Sequence, residues 1–350
     1  MPATSSRWRS KASARCATML RDILLRQFPK LVDVPPHTEA IGGAVRDILL
    51  GATPLDVDVE CDDPLGCASA LGKVITLGRG DLTVYRVVVD GRVYDFSRKT
   101  DLSRRDFTIN AIAVDLTSGD MRDPFDGEQD IGRRVVRMIH ARNLEDDPLR
   151  MLRAVRLAIR FDFTIDDATA TAIRRRSGRI VTVAAERVTY ELHAIFSAGK
   201  FRRALRLLNE AALDEPLFGY SIDPSRFPSD DLSLAAAYAL LVRDPRSFAE
   251  RWRWSDALQR DVRTLQQLMR DPNLIALYDA GEKLARQLPL RAEMPDFSMK
   301  PLLNGTEIAT LTKLPPGPQL GAIKRALIEA QLRGSVRTRE EAERFVTSSA

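Results

Sequence analysis

At 350 residues the chain is long enough for one or two domains, or a mosaic of small ones, with a real core. It is 44% hydrophobic without any apolar run near the ~18–20 residues that span a bilayer. Its net charge of +5 is a mild basic bias carried mostly by arginine, which suits bidentate recognition of phosphate. Cys16, Cys61 and Cys67 form no C-x-x-C, so neither a disulfide framework nor a zinc site is signalled, and reduced thiols in a cytoplasmic protein are expected. His37, His140 and His193 are nowhere followed by Asp, which removes a histidine–aspartate phosphohydrolase module.

Residues 1–18 contain no acid and are rich in Ser and Arg, a composition shared by transit peptides and by ordinary basic chain starts. Met19 to Phe28 reads as a helix with Leu20, Ile23, Leu24 and Phe28 on one side, ended by Pro35-Pro36. Gly42-Gly43-Ala44-Val45-Arg46-Asp47 follows. The paired glycines leave backbone N–H groups uncovered for a phosphate, and Arg46 adds a charge on the helix that begins there. Val45 to Leu50 makes that short helix, closed by Gly51. Next, Leu55, Val57 and Val59 alternate with Asp56, Asp58 and Glu60. In a strand the apolar set goes to the core and the acids face outward together. Asp56 and Asp58, about 7 Å apart along one edge, can hold hard cations such as Mg²⁺ that leave room for substrate phosphates. A solvated strand face would carry the same pattern. Asp62-Asp63-Pro64 turns out of this strand, and Leu65 to Lys73 reads as helical. Thr83 to Val89 and Arg92 to Phe96 are β-rich runs joined by the hairpin signal Asp90-Gly91. Asp95 on the second run is either a third carboxylate near the cations or a plain strand-face acid.

Arg104-Arg105-Asp106-Phe107-Thr108-Ile109-Asn110-Ala111 brings two fixed cations, an acid and an amide within two helical turns. Arginine can clamp phosphate, and Asp and Asn can hydrogen-bond ribose hydroxyls. An amphipathic helix start with Phe107, Ile109 and Ile112 inward fits equally. Asp123-Pro124-Phe125-Asp126-Gly127 makes a turn. Asp146-Asp147-Pro148-Leu149-Arg150 opens the clearest helix, with Asp147 as N-cap and Pro148 in the first turn. Met151, Leu152, Val155, Ala158 and Ile159 form its apolar stripe, and Arg150, Arg153, Arg156 and Arg160 a separate basic stripe, read as a solvated face. Ala185-Glu186-Arg187-Val188 with Glu191-Leu192 reads as an ion-paired helix start. Arg174-Arg175-Arg176 is a solvated helix end or a run that tracks RNA phosphates. From Phe201 the pattern is helical, broken at Asp214 to Asp231, at Pro289 to Pro301 and at Pro315-Pro316-Gly317-Pro318. Thr338 with Glu341 makes a capping box before Ala342, Phe345 and Val346.

Together, G-G-x-V-R-D, D-x-D, R-R-D-F-T-I-N-A, D-P-F-D-G and D-D-P-L-R resemble the family of class II tRNA nucleotidyltransferases (CCA-adding enzymes) and bacterial poly(A) polymerases. The resemblance is specific over about residues 41–196. It implies an α+β fold: a nucleotidyltransferase head over 1–137, with a small mixed β-sheet and helices, then an all-helical neck over 138–200 and an all-helical body and tail over 201–350 that hold tRNA. By the same resemblance Asp56 and Asp58 bind the catalytic Mg²⁺, and Gly42, Gly43 and Arg46 lie beside the incoming triphosphate. Asp106 and Asn110 read the sugar, with Arg105 nearby. Asp147 and Arg150 hydrogen-bond the base edge as a protein template, with Arg153 grouped with them, and Glu186 and Arg187 support the pocket. Asp146 stands where the family usually has Glu, and Asp126 where it has Gly.

The implied reaction adds C, with the terminal A left open, to the 3′ end of tRNA from CTP and ATP, releasing pyrophosphate. Neither DNA nor a membrane is an expected partner, and the oligomeric state is left open. Complete relatives carry a long flexible loop before R-R-D, whereas only Lys99 to Ser103 separates Ser97-Arg98 from Arg104 here. In the family a missing loop goes with enzymes that stop after CC, so CC-only and full CCA addition both stand. A poly(A) polymerase is weakened by the lack of a long basic C-terminal extension. A non-catalytic RNA-binding protein would have little use for Asp56 and Asp58 together.

Overall fold

The computed structural model describes residues 19–80, 83–227, 230–288 and 292–349. The basic stretch 1–18, Cys16, and residues 289–291 of the break expected at Pro289 to Pro301 lie outside the described residues. The fold is α+β, and among the described residues no helix is long and apolar enough to cross a membrane. The chain forms two compact units. The first comprises the described residues up to Ile195 with Ala204–Asp223, and the second comprises Phe196–Arg203 with the described residues from Pro224 on. The expected head and residues 138–195 of the expected neck fall in one unit.

In the first unit, helix α1 (residues 19–27) leads to β1 (Glu39–Ile41), α2 (Gly43–Leu49), β2 (Asp56–Glu60), α3 (Pro64–Leu71), β3 (Ile75–Leu77), β4 (Val84–Val89), β5 (Arg92–Ser97), β6 (Ala113–Asp115) and β7 (Met121–Arg122). These strands make one mixed sheet in the order β3-β4-β5-β2-β1-β6-β7. β2 is parallel to β5, with Asp58 opposite Asp95, and antiparallel to β1, with Asp58 opposite Ile41. The β4–β5 hairpin closes on Asp90 at φ +52° and Gly91 at φ +73°, the two positive angles that a tight primed turn needs. Val57, Val59, Tyr94 and Phe96 alternate onto one face and are buried, with the Phe28 ring edge-on to Tyr94 at 5.6 Å. The other face of β2 and β5 carries Asp56, Asp58 and Asp95. Two expectations at β2 fail. Leu55 is exposed just outside the strand, and Glu60 is buried at 1% exposure, because it has partners inside the protein.

The chain continues through α4 (Gly127–Arg133), β8 (Val135–Val136), α5 (Ala141–Asp146), α6 (Arg150–Phe161), β9 (Thr164–Ile165), α7 (Asp167–Arg174), α8 (Ala185–Phe196), α9 (Phe201–Glu210) and α10 (Asp214–Phe218), with Phe196 and the first three residues of α9 counted in the second unit. Asp126 adopts the left-handed conformation at φ +57°, which Asp tolerates better than most residues. Gly127 behind it has no alternative, since a Cβ there would meet the Thr108 carbonyl oxygen at 2.3 Å. α6 begins two residues later than Asp147 and Pro148 suggest. The Asp147 carboxylate accepts from the Leu149 N–H in a turn, and its carbonyl accepts from the Arg150 N–H. Seven apolar residues of α6 are buried, including Leu157.

The second unit holds α11 (Leu234–Leu241), α12 (Pro245–Trp252), α13 (Asp256–Arg270), α14 (Leu274–Ala280), α15 (Glu282–Ala285), α16 (Gly305–Thr312), α17 (Pro318–Leu332) and α18 (Arg339–Ser348). Tyr238, Phe248 and Trp254 pack as one aromatic cluster. Leu303, Ile308, Ile323, Leu327, Ala342 and Val346 make a separate core for the last three helices. Both α16 and α18 open on full capping boxes, Asn304 with Glu307 and Thr338 with Glu341.

Candidate active site

A cleft of about 1090 Å³ opens in the first unit between β2 and α6. Its floor carries Asp56 and Asp58, one exposed and one half-exposed. The Asp58 side chain is still 44% exposed, yet desolvation by the surrounding protein pushes its carboxyl above the usual range. Arg105, with Nη1 3.9 Å from Oδ2, opposes that shift, and Asp95 and Asp56 reinforce it. A hard divalent cation fits this pair, since it takes oxygen donors and would relieve the carboxylate repulsion. Among the described residues no grouping of three or more His, Cys, Asp or Glu could hold a metal ion. The remaining ligands would therefore be substrate oxygens and water. The third acid considered, Asp95, gives both oxygens to Arg86 at 2.8 and 2.7 Å and does not line the cleft.

Gly42 and Gly43 join this floor to α2. Gly42 has φ +72°, and a Cβ there would stand 2.9 Å from Arg105 Nη1 and 3.5 Å from Asp58 Oδ2. Only glycine lets the strand and the guanidinium approach so closely. Arg105 is held from below by buried Glu60 at 3.3 Å. Glu60 also accepts the N–H of Thr100 at 3.0 Å and its hydroxyl at 2.6 Å. The short linker from Lys99 to Ser103 is thereby fastened to the floor.

The residues expected at the sugar and triphosphate form one buried chain. Arg46, 5% exposed, donates Nε to Asp47 at 2.8 Å and Nη1 to the Asn110 side-chain oxygen, and its guanidinium lies 4.6 Å over the Phe161 ring. Asn110 donates its amide to Asp106 at 2.9 Å. Asp106, also 5% exposed, accepts further from the Phe107 N–H at 2.8 Å and from Arg153 Nε at 2.7 Å. Burial pushes the Asp106 carboxyl up, but Arg153 and the Asn110 and Phe107 donors outweigh it and hold it at about 2. The charge of Asp106 in turn holds Arg153 above its usual value. Arg46 lines the cleft with each of its three nitrogens already donating to Asp47 or Asn110.

Opposite stands α6. Its basic stripe is more than a solvated face, because Arg150, Arg153, Arg156 and Arg160 all line the cleft. Each is fixed: Arg150 on the Asn143 carbonyl at 3.2 Å, Arg153 on Asp106, Arg156 on Glu191 at 2.6 Å and Arg160 on Asp47 at 3.1 Å. Asp147 lines the cleft beside Arg150 and is gripped by Arg187 at 2.8 Å. Glu186 is exposed and not among the lining residues. The sequence gives several site residues no role of their own, although Asp47 and Glu191 stand within the motifs singled out. Glu60, Asp47, Asn143 and Glu191 act as holders of the arginines, and only the acids could have been suspected from the arginine excess. Tyr190, 69% exposed, also lines the cleft.

Residues 76–137 match the family model described as the Poly A polymerase head domain. Residues 162–221 match the one described as the probable RNA and SrmB-binding site of polymerase A. An A-adding tRNA nucleotidyltransferase of Deinococcus radiodurans is 30% identical over 92% of this chain and 98% of its own length. A CC-adding tRNA nucleotidyltransferase of Synechocystis sp. is 38% identical over 50% of this chain and 45% of its own. The fold is shared with the Bacillus stearothermophilus CCA-adding enzyme in complex with CTP, at a TM-score of 0.76 over 94% of this chain and 97% of that one with 24% identity. With a relative matched along nearly the full length of both chains, this chain belongs to the class II tRNA nucleotidyltransferase and poly(A) polymerase family, and it is a nucleotidyltransferase.

Proposed function

We propose that the protein adds nucleotides to the 3′ end of tRNA from CTP and ATP, without a nucleic-acid template and with release of pyrophosphate, in the cytoplasm. The observation that carries this reading is the facing of Asp56 and Asp58 on β2 with Asp147 and Arg150 at α6 across one cleft. Asp56 and Asp58 would hold Mg²⁺. When bound, the ion lowers the pKa of the RNA 3′-hydroxyl and offsets the charge that develops at the α-phosphate during in-line displacement. Arg105 stands beside Asp58 and supplies a fixed positive charge toward the phosphates. The Asp147 carboxylate and the Arg150 guanidinium present an acceptor and a donor to the base edge of the incoming nucleotide. Asp106 and Asn110 set the wall where the ribose would rest, and the buried chain around them keeps that wall in one shape. The functional division remains head 1–137, neck 138–200, and body and tail 201–350.

C addition with a weak terminal A step is the reading favoured by the linker, which is short and tied to Glu60 by Thr100. A addition is the second reading, favoured by the similarity to the Deinococcus protein along nearly its whole length. The test offers tRNA ending at its discriminator base, after one C and after CC to the protein with CTP or ATP alone. Incorporation of C into the first two, abolished by Asp56→Ala or Asp58→Ala while tRNA binding persists, is expected. Efficient A addition to the CC end with no C addition would replace the first reading by the second. No incorporation of either nucleotide by the parent protein would refute both.

A further inference from the structure

The cleft is lined mostly by charged side chains, and one residue breaks that pattern. Tyr190 on α8 is the single aromatic among the described residues that line it, and it is 69% exposed. Among the described residues its hydroxyl makes no hydrogen bond and its ring no ring contact. A ring this open adds little to the core. Its place is nonetheless well defined, because α8 is pinned on either side of it. Arg187 grips Asp147 at 2.8 Å, and Glu191 accepts from Arg156 at 2.6 Å. Three residues on from Arg187, Tyr190 shares its side of the helix and stands about 4.5 Å further along. The ring is thus held close to the pair Asp147 and Arg150 without belonging to it.

We propose that Tyr190 is the platform on which the last base of the RNA 3′ end stacks while the incoming nucleotide is joined to it. This rests on the cleft being the site of nucleotide transfer to tRNA. The two bases that meet there make different demands. The incoming base must be told apart by its edge, which is the work of Asp147 and Arg150. The last base of the RNA changes from one addition to the next, from the discriminator base to C, so a site that read its edge would fail at one step. Stacking accepts any base, because every base has a π-face. Tyr190 is the aromatic surface that the cleft offers for it, open to solvent where an RNA end can reach it.

The experiment uses the full-length protein in two assays, with parent, Tyr190→Phe, Tyr190→Leu and Tyr190→Ala compared. In the first, tRNA ending in 5-iodocytidine is bound without CTP or ATP and irradiated, and the cross-linked peptide is identified by mass spectrometry. The cross-link should map to Tyr190, persist at Tyr190→Phe and vanish in Tyr190→Leu. In the second, steady-state CTP incorporation should show KM for tRNA raised about tenfold in Tyr190→Ala, the order that one base–aromatic stack supplies, with KM for CTP unchanged and Tyr190→Phe close to the parent. A tRNA whose last nucleotide is abasic should cost the parent a similar factor and cost Tyr190→Ala nothing further. A cross-link that maps elsewhere, an abasic penalty that persists in full in Tyr190→Ala, or a rise confined to KM for CTP would overturn the proposal, the last by giving the ring to the incoming base. Two levels of failure separate cleanly. A parent that incorporates CTP or ATP, with the Tyr190 variants indistinguishable from it, sinks only the role of Tyr190. A parent that incorporates neither nucleotide sinks the transfer reading itself and this proposal with it.

Discussion

Asp106→Asn removes the charge at the centre of the buried chain. The carboxyl sits at about 2, well below the ordinary carboxylate value of 3.8, and the residue is 5% exposed, so solvent screening discounts little. At about 1.4 kcal/mol per pKa unit, that gap corresponds to about 2 kcal/mol of native-state stabilisation. The amide would also turn a donor toward Arg153, which now donates Nε to Asp106 at 2.7 Å. The variant should therefore lose about 2–3 kcal/mol of local stability at pH 7. The sign with pH follows from the depressed value. The contribution is fully present above the unfolded carboxyl pKa and is lost as pH falls through about 2, so the gap between parent and variant stays flat from pH 8 to about 5. Among the described residues both tryptophans, Trp252 and Trp254, lie in the second unit, so their fluorescence is a poor reporter of the first. Amide hydrogen exchange across Thr108 to Asp115 reads it directly. A loss below ~0.5 kcal/mol, or one already gone at pH 5, would refute the reasoning.

Gly42→Ala combines a left-handed residue, costing about 1–2 kcal/mol, with a methyl 2.9 Å from Arg105 Nη1. Its Tm should drop by a few degrees and kcat for C incorporation should fall more steeply than KM rises, as steady-state kinetics will show. Arg187→Ala leaves the half-exposed Asp147 without its clamp. Stability should change by under ~0.5 kcal/mol, while the ratio of kcat/KM for CTP to that for ATP shifts. Thr338→Ala opens the capping box of α18 and should cost about 1 kcal/mol, seen as faster exchange over Arg339–Ser348 with C incorporation unchanged.

What the sequence made legible was local. The alternation in Asp56–Glu60, the Asp90-Gly91 turn and the Thr338–Glu341 box depend on neighbours within a few positions, and each formed where the pattern pointed. Glu60 follows the same alternation as Asp56 and Asp58 but is buried, because Thr100 and Arg105, 40 and 45 positions away, come to satisfy it. Periodicity placed Arg150, Arg153, Arg156 and Arg160 on one side of α6 but could not say what that side faces. It faces a cleft where Asn143, Asp106, Glu191 and Asp47 meet the arginines. The same blindness to distant partners hid the engagement of Arg46 by Asp47 and Asn110 and of Asp95 by Arg86. The start of α6 moved because Asp147 closes a turn around Pro148 before the helix hydrogen bonds begin.

The two walls of the cleft differ in how tightly they are built, and that difference bears on nucleotide choice. Asp106 is 5% exposed and has every strong partner inside the protein, whereas the Asp147 side chain is 28% exposed and held by Arg187. A wall of the first kind cannot move without exposing unpaired charge, while one of the second kind can. On the proposed reading, a change of base from C to A must therefore be accommodated at Asp147 and Arg150 and not at the sugar. Yet Arg150 rests on the Asn143 carbonyl, and the Asn143 amide holds the carbonyls of Ser103 at 2.8 Å and Arg105 at 2.6 Å. The short linker is fixed to the floor by Thr100 at its other end. Any shift of Arg150 thus pulls on a segment with little slack, tied to the residue that flanks Asp58. A longer linker would uncouple the two movements. Inserting flexible residues after Lys99 should then raise A addition to a CC end relative to C addition, and an unchanged ratio would show that the linker does not restrain the template pair.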